Sequence, residues 1–593
     1  MIDLRPALAG AAAVLLACAG CASVPTGGRV VSGKSADRAE QVDDPTVRLI
    51  PKPPRPGWGA DDIVRGFLSA SASFDDDHRV ARQYLGGPSV WTPGGRPAVT
   101  VFQNTPDVDI VKSNGNQATV RVYGNQLGTI TSAGQYAADP KHIQAVFTLG
   151  RGQQGWRITA LPQEAQTSLL LTKSDVDQAF RPVNLYFFGP EKDTLVPNGI
   201  FMPYANRQSL STQLVQALLG GPTPWLSQAV TSAFPAGTRL LGGVSVDEDK
   251  NVATVNLSRE ASKGDVDDMS AQISWTLRQI SEIKDWRLQI AGKTVAPEDG
   301  DSTQSVHDWS DKDPDGNNDP RIQQTPYLVG LNGHLSTLQG TTVRDAPPVN
   351  TPMTVPAVAP DTLEAAGLSP DRTQVLTADL TSGGLVRPPL LNHQAKGSTF
   401  TAPTWDRNTV LWFVETTKDK SWLWTRQRGA APQRAKIWGL SGREVLAFRI
   451  ARDGVRAAAI VKVDGKTQIQ VGRIAHGPKG EIDAGSFLPV SSELEDPRDL
   501  AWRDYSNLVV LGRQHGEAQI LPYLVPVSGA PVSGLGNGTL SGEAWTITAA
   551  PDAPVLVGTR TGDRDQVCRQ RSARDPFSEW ACDIKGSGPT YPR

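Results

Sequence analysis

Four cysteines carry the clearest chemistry in this 593-residue chain. Cys18 and Cys21 follow an apolar run from Ala7 to Ala17, itself preceded by Arg5. A membrane-spanning helix needs about 20 apolar residues, so this run has instead the length of a secretory h-region. The small pair Ala19-Gly20 before Cys21 suits a bacterial lipobox, in which the thiol of Cys21 takes a diacylglyceryl group and becomes the new N-terminus. Leu15-Leu16-Ala17-Cys18 offers an alternative lipobox with Cys18 as the anchor, and an ordinary cut near Ala22 is the unlipidated reading. Cys568 and Cys582 lie close together near the C-terminus, and an oxidising compartment lets such a pair form a disulfide. Closing a loop of this size contributes roughly 3 kcal/mol in the chain-entropy model. No histidine or second cysteine pair accompanies them, which makes metal ligation the weaker reading.

Other chemistry is sparse. Asp311-Lys312-Asp313-Pro314-Asp315-Gly316 resembles the first half of an EF-hand loop, but Ile322 stands where the bidentate glutamate belongs. A solvated acidic linker is the better account. Asp75-Asp76-Asp77-His78 reads as carboxylates capping the helix that follows rather than as an acid/base set. Gly534-Leu535-Gly536-Asn537-Gly538 lies between short strands and reads as a turn, not a nucleotide loop. There is no nucleophile elbow and no P-loop. The seven histidines, at 78, 142, 307, 334, 393, 476 and 515, show no metal-ligand spacing. The expectation is a non-enzyme with no catalytic residues, no metal and no cofactor. Trp91, Trp225, Trp405, Trp502 and Trp545 are mainly core candidates, with one or two left to stack on a ligand.

A net charge of −2 argues against nucleic acid, which calls for a basic stripe. With 57 glycines, 45 prolines and four methionines, the chain is turn-rich and reads as rich in β structure. The length suggests three or four domains.

The elements that must position these residues fall into blocks. After a signal segment (1–20), residues 21–56 form a tether ending in Pro51, Pro53, Pro54 and Pro56. In 57–172, Ile63, Val64, Phe67 and Leu68 mark one helix face, capped by Asp61, and Val80, Ala81, Tyr84 and Leu85 mark a second helix. Strands follow, with an Asn114-Gly115 hairpin turn between Val108–Val111 and Ala118–Tyr123, and a second hairpin from 143–149 to 156–158. In 182–296, Leu185–Phe188 reads as a strand, Leu214–Leu219 as a helix stopped by Gly220-Gly221-Pro222, and Val252–Leu257 as a strand. Ile273, Leu277 and Ile280 mark a further helix before the strand Trp286–Ile290. Residues 297–320 are an acidic linker. From 321 to 593, an Asp-containing turn precedes a short apolar strand at Asp371, Asp406, Asp453, Asp504 and Asp552. Repeats of roughly 35–50 residues point to a β-propeller of five to seven blades, whose last strand closes the ring where the disulfide can pin it.

Taken in order, these pieces resemble the actinobacterial LpqB lipoproteins. The resemblance rests on Cys21-Ala22-Ser23-Val24-Pro25, on Ile63 to Leu68 and on Ala81 to Leu85. Leu214 to Pro222, Phe234-Pro235-Ala236-Gly237-Thr238 and Val252 to Ser258 are similar to a GerM (GerMN) domain. It implies an NTF2-like α+β domain, a GerM-like α+β domain and a TolB-type propeller. It further implies an extracytoplasmic protein held on the cell membrane by its lipid. The implied partner is the sensor domain of a membrane histidine kinase of the MtrB type, whose two-component signalling governs cell-wall metabolism, division and differentiation. A cell-wall glycan-binding lipoprotein is the alternative, with peptidoglycan as a further partner.

Overall fold

The computed structural model describes residues 50–593 except 75, 88–89, 205–206, 248, 317–323, 347–351, 382–383, 386–388 and 478–480. Cys18, Cys21 and most of the tether therefore lie outside the described residues. No helix among the described residues is long and apolar enough to cross a membrane.

The first domain lays one helix across a sheet that is antiparallel apart from one parallel pair at its edge. Helix α1 (Ala60–Ser71) buries Ile63, Val64, Phe67 and Leu68 along one face, as its spacing predicts. Its N-cap is Gly59 rather than Asp61, and the Gly59 N–H donates to the Asp62 carboxylate at 3.3 Å. The second helix is shorter than its apolar spacing implies. Only Arg79–Arg82 (α2) is helical, because Leu85 turns to bridge Ile158 and the Tyr84 ring lies against Gly66. A Cβ on Gly66 would meet that ring at 2.5 Å, so glycine alone allows the approach. Strands β1 (Ala98–Phe102), β2 (Asp107–Ser113), β3 (Gln117–Ile130), β4 (Tyr136–Gly152), β5 (Gly155–Ala160) and β6 (Ser168–Thr172) form the sheet in the order β5-β4-β3-β1-β6. Strand β2 pairs with the first half of β3 across the Asn114-Gly115 turn.

The second domain opens with a hairpin of β7 (Phe180–Phe188) and β8 (Leu195–Pro203). A sheet follows from β9 (Ser245–Asp247), β10 (Val252–Leu257), β11 (Asp285–Ile290) and β12 (Lys293–Val295), with β13 (Gln304–Ser305) pairing to β11. Strands β10 and β11 run parallel, connected through the helix Val266–Leu277. That helix is buried from Met269 to Leu277, its polar residues included. Gln272 donates to the carbonyl of Tyr186, and Gln279, beyond the helix end, bonds both the N–H and the carbonyl of Asn184. Long-range hydrogen bonds thus satisfy side chains that sequence periodicity assigns to a solvent face. Ile280, expected on the helix, lies in the turn after it and is still buried.

The third domain is a six-bladed propeller. Its inner strands are Thr354–Val358, Thr404–Trp405, Val445–Ile450, Leu494–Trp502, Glu543–Thr548 and Ser587–Thr590, each neighbouring the next around the axis. The last of these pairs with Tyr327–Val329, so one blade combines the final strand with the domain's first three. This closure ties the two ends of the domain into one blade and leaves only the short outer edges of the blades. Cys568 and Cys582 are bonded at an S–S distance of 2.03 Å. They join the outer strands Arg564–Gln570 and Trp580–Lys585 of the blade beside the closure, not the closing pair itself.

The recurring aspartates are turn-formers. Asp406 accepts the N–H groups of Asn408 and Val410 and the indole N–H of Trp412, each at 2.9 Å. Asp453 accepts from the N–H groups of Val455 and Arg456 at 2.8 and 3.0 Å, and Asp504 from Ser506 at 2.8 Å. Such side-chain acceptors replace a backbone turn partner. These turns join inner to second strands. In the blade that begins at Thr354 the equivalent residue is Asp361, which accepts the Leu363 N–H. Asp371 instead turns its second strand into the third, one strand further out than the repeat suggests.

Candidate partner-binding mouth of the propeller

The six inner strands surround an axial channel whose two ends differ. At the end where the inner strands finish, the chain plugs its own channel. Residues 304–316, expected to be a solvated linker, are docked instead, starting as an edge of the second domain's sheet and reaching the channel end at Pro314 and Asp315. Thr194 donates to the Asp313 carbonyl at 3.1 Å, the Trp275 indole to the Trp309 carbonyl at 2.9 Å, and Arg452 to the Asp315 carbonyl at 3.2 Å. The EF-hand-like carboxylates are spread between surroundings: Asp311 is exposed and paired with Lys312, whereas Asp315 is buried. Burial, then Asp504 and Asp313, push the Asp315 carboxyl well above the usual carboxylate range. Arg452 also reaches the Pro592 carbonyl, and the Arg593 guanidinium donates to the carbonyls of Trp502 and Ala549.

The second domain covers the same end. Val455 of the propeller packs into that domain's core, and Tyr505 meets Tyr186 and Trp275 with ring centroids 6.1 and 6.3 Å apart. Asn184 donates to Ser506 at 3.1 Å and Trp225 to the Ser486 carbonyl at 2.7 Å. A cleft of about 660 Å³ lies where the β7–β8 turn faces the blades, between Glu191, Arg407, Gln427 and His476. Burial lowers the pKa of His476.

The opposite mouth is open. A cavity of about 80 Å³ runs into the channel between the inner strands, edged by Pro356, Arg372, Pro403, Leu446, Arg498 and Trp545. Trp545 is 49% exposed, and the Arg498 guanidinium lies 5.4 Å from its ring centroid. Deeper in, Arg449 donates to Asp499 at 3.0 Å, and the second oxygen of Asp499 accepts the Ile547 N–H at 3.0 Å. One carboxylate so ties three successive blades together.

The remaining sequence candidates serve packing. His78 is buried between Phe74 and Trp91, with ring centroids at 4.8 and 5.2 Å. It sits at the N-cap of α2 without a side-chain cap, and Asp76 and Asp77 pair with Arg79 and Arg82 instead of capping. Asp75 lies outside the described residues. Trp91, Trp405 and Trp502 are core, Trp225 anchors the domain contact, and Trp545 is the one of the five left largely exposed. Gly534 ends a two-residue strand, and Gly536 in the turn after it packs on Trp580. No group of three metal-ligating side chains occurs among the described residues. Sequence reasoning missed Arg372, Arg449 and Arg498, because no spacing links residues that only a closed ring brings together.

Comparison with known proteins matches this architecture domain by domain. Residues 53–177 match the family described as "Lipoprotein LpqB, N-terminal domain", 184–296 match "Sporulation and spore germination", and 333–592 match "Lipoprotein LpqB beta-propeller domain". Lipoprotein LpqB of Thermobifida fusca is 32% identical, covering 98% of this chain and 99% of its own. The chain belongs to the LpqB lipoprotein family. LpqB of Streptomyces coelicolor is 29% identical over 99% of this chain and 98% of its own, and that of Mycobacterium tuberculosis is 26% identical over 83% and 84%. Among solved structures, TolB from Acinetobacter baumannii is 17% identical with a TM-score of 0.36, covering 46% of this chain and 68% of that one. The LpqB family thus supplies the three-domain order, and the family name describes a lipoprotein.

Proposed function

We propose that this LpqB-family chain is a non-catalytic binding protein, tethered through a lipidated Cys21 to the extracytoplasmic face of the cell membrane. Its partner is the sensor domain of a membrane histidine kinase of the MtrB type. By binding one signalling state more tightly than the other, it tunes the control of cell-wall metabolism, division and differentiation. Binding that does not distinguish the two states shifts nothing, so the proposal requires a differential affinity. A tenfold preference corresponds to about 1.4 kcal/mol.

The observation that carries the reading is the asymmetry of the propeller. One channel end is covered by the chain's own second domain, while the other presents exposed Trp545 beside Arg498. Tryptophan and arginine are the residue types that most often dominate protein–protein binding energy. Crosslinking in intact cells with a C-terminally tagged chain, read by mass spectrometry, tests it. Recovery of a kinase sensor domain, lost on deleting the propeller, supports the reading. Recovery of wall-synthesis enzymes or glycan alone supports the wall-binding alternative.

A further inference from the structure

The open channel mouth has a charge balance that specifies its occupant more narrowly than partner binding in general. Five charged residues line the cavity: Arg372, Arg449, Arg498, Arg593 and Asp499. Asp499 is committed to Arg449 at 3.0 Å, and Arg498 is paired at the rim with Glu543 at 2.5 Å and with Asp496 at 3.8 Å. Arg372 makes no ion pair among the described residues and stands exposed on the rim, in a left-handed turn with φ 57°. At the inner end Asp499 and Asp315 lie near the Arg593 guanidinium, which donates to the carbonyls of Trp502 and Ala549. Burial, then the nearby Arg452 and Arg449, push its pKa down to about 9. Arg372 at the rim is therefore the cation of this lining left without a carboxylate partner among the described residues.

The cavity's shape limits the choice further. At about 80 Å³ it is far smaller than the 300–1,000 Å³ of ordinary small-molecule sites. It holds a side chain, not a cofactor or an oligosaccharide. Around it, Trp545, Leu446 and the prolines at 356, 403 and 589 offer a rigid, half-apolar collar over which a chain can lie.

We infer that the open mouth of the propeller receives an extended acidic polypeptide segment, one carboxylate side chain meeting Arg372 while the backbone crosses Trp545. The inference deepens the partner-binding reading above and rests on it for the use of this face. It commits to the chemistry of the bound segment, not to the protein that carries it.

Fluorescence anisotropy with the full chain in detergent tests it, using a fluorescein-labelled peptide Gly-Ser-Asp-Glu-Asp-Glu-Ser-Gly as probe. Expected are saturable binding, at least tenfold weakening in R372E and in W545A, a loss on raising NaCl from 50 to 500 mM, and no binding of the same peptide with lysines for its carboxylates. Arg372 and Trp545 are exposed, and matching thermal melts of both variants establish that folding is intact. Absence of binding, equal binding by R372E, or binding of chitotetraose in place of the peptide at this mouth overturns the inference. The two ideas fail separately. Capture of a kinase sensor domain that is indifferent to R372E and W545A refutes the acidic-segment inference alone. Specific peptide binding without capture of any sensor domain refutes the kinase reading alone.

Discussion

Asp499→Ala should destabilise the propeller more than any surface change at the mouth. The Asp499 side chain is 11% exposed and that of Arg449 13%, and their contact at 3.0 Å joins adjacent inner strands. The second carboxylate oxygen accepts the Ile547 N–H, also at 3.0 Å, reaching a third blade. Removing one partner of a buried pair costs about 3–5 kcal/mol, because the other charge stays behind without compensation. Leaving a buried N–H without an acceptor adds about 1–3 kcal/mol. Arg449 keeps its bonds to the carbonyls of Ala402 and Phe448, which argues for the lower part of the first range. The expected loss is about 4 kcal/mol. Asp499→Asn, which retains an acceptor for Ile547, should lose about half of that. The double variant Arg449→Met/Asp499→Leu removes both charges and should recover most of the loss, keeping only the orphaned N–H. Urea unfolding followed by hydrogen exchange of peptides from residues 445–450, 494–502 and 543–548 reads the propeller separately from the other domains, which a single global transition would blur. An Asp499→Ala loss below about 0.5 kcal/mol, or a double variant as damaged as the single one, would refute the reasoning.

Two further outcomes follow from residues elsewhere in the propeller. Burial pushes the Asp406 carboxyl up to about 6 against its backbone and Trp412 donors, so the folded state binds a proton more tightly than the unfolded chain does. Stability should then fall as pH rises from about 4 to about 6, and Asp406→Asn should flatten that slope in denaturation curves taken across the window. Paired replacement of Cys568 and Cys582 by serine opens a loop with a sequence separation of 14 and should lower stability by roughly 3 kcal/mol. Its faster hydrogen exchange should appear in 564–585 and not in the closing strand Ser587–Thr590; the reverse pattern would mean that the bond guards the closure after all.

What could be read from sequence was what short-range bonds decide. The Asn114-Gly115 hairpin forms because Asn114 accepts the Gln117 N–H at 2.8 Å while Gly115 takes φ 89°. The helix ending at Leu219 stops as expected, with the Gly220 N–H returning to the Gln216 carbonyl and Gly221 at φ 83°. The propeller repeat was legible through its aspartates for the same reason, since Asp406, Asp453 and Asp504 bond within a few residues of themselves. That same locality misled at Asp371, whose turn is chemically alike but lies one strand further out. The buried polar helix was hidden because the partner of Gln272 is 86 residues away. The docked segment 304–316 was hidden likewise, as Arg452 reaches Asp315 across 137 residues. The mouth is the extreme case: Arg372, Arg449, Arg498 and Trp545 come from four different blades.

The way the two channel ends are connected bears on the proposed binding role. From the mouth, the Arg449 carbonyl accepts the Trp502 indole N–H at 3.0 Å, and the Trp502 carbonyl accepts from Arg593 at 2.6 Å. Arg452 then links the Pro592 carbonyl to that of Asp315 in the plug. A chain of bonds transmits a signal only if some element along it has two alternative arrangements. Here every member sits in a ring closed by strand pairing and in a segment docked on two domains, and closed packing of this kind resists graded deformation. The propeller and second domain should therefore act as one rigid platform. On the proposed reading, any bias on a partner's signalling states comes from which state fits the mouth, and substitutions at Arg372 or Trp545 should change affinity without altering hydrogen exchange around Asp315.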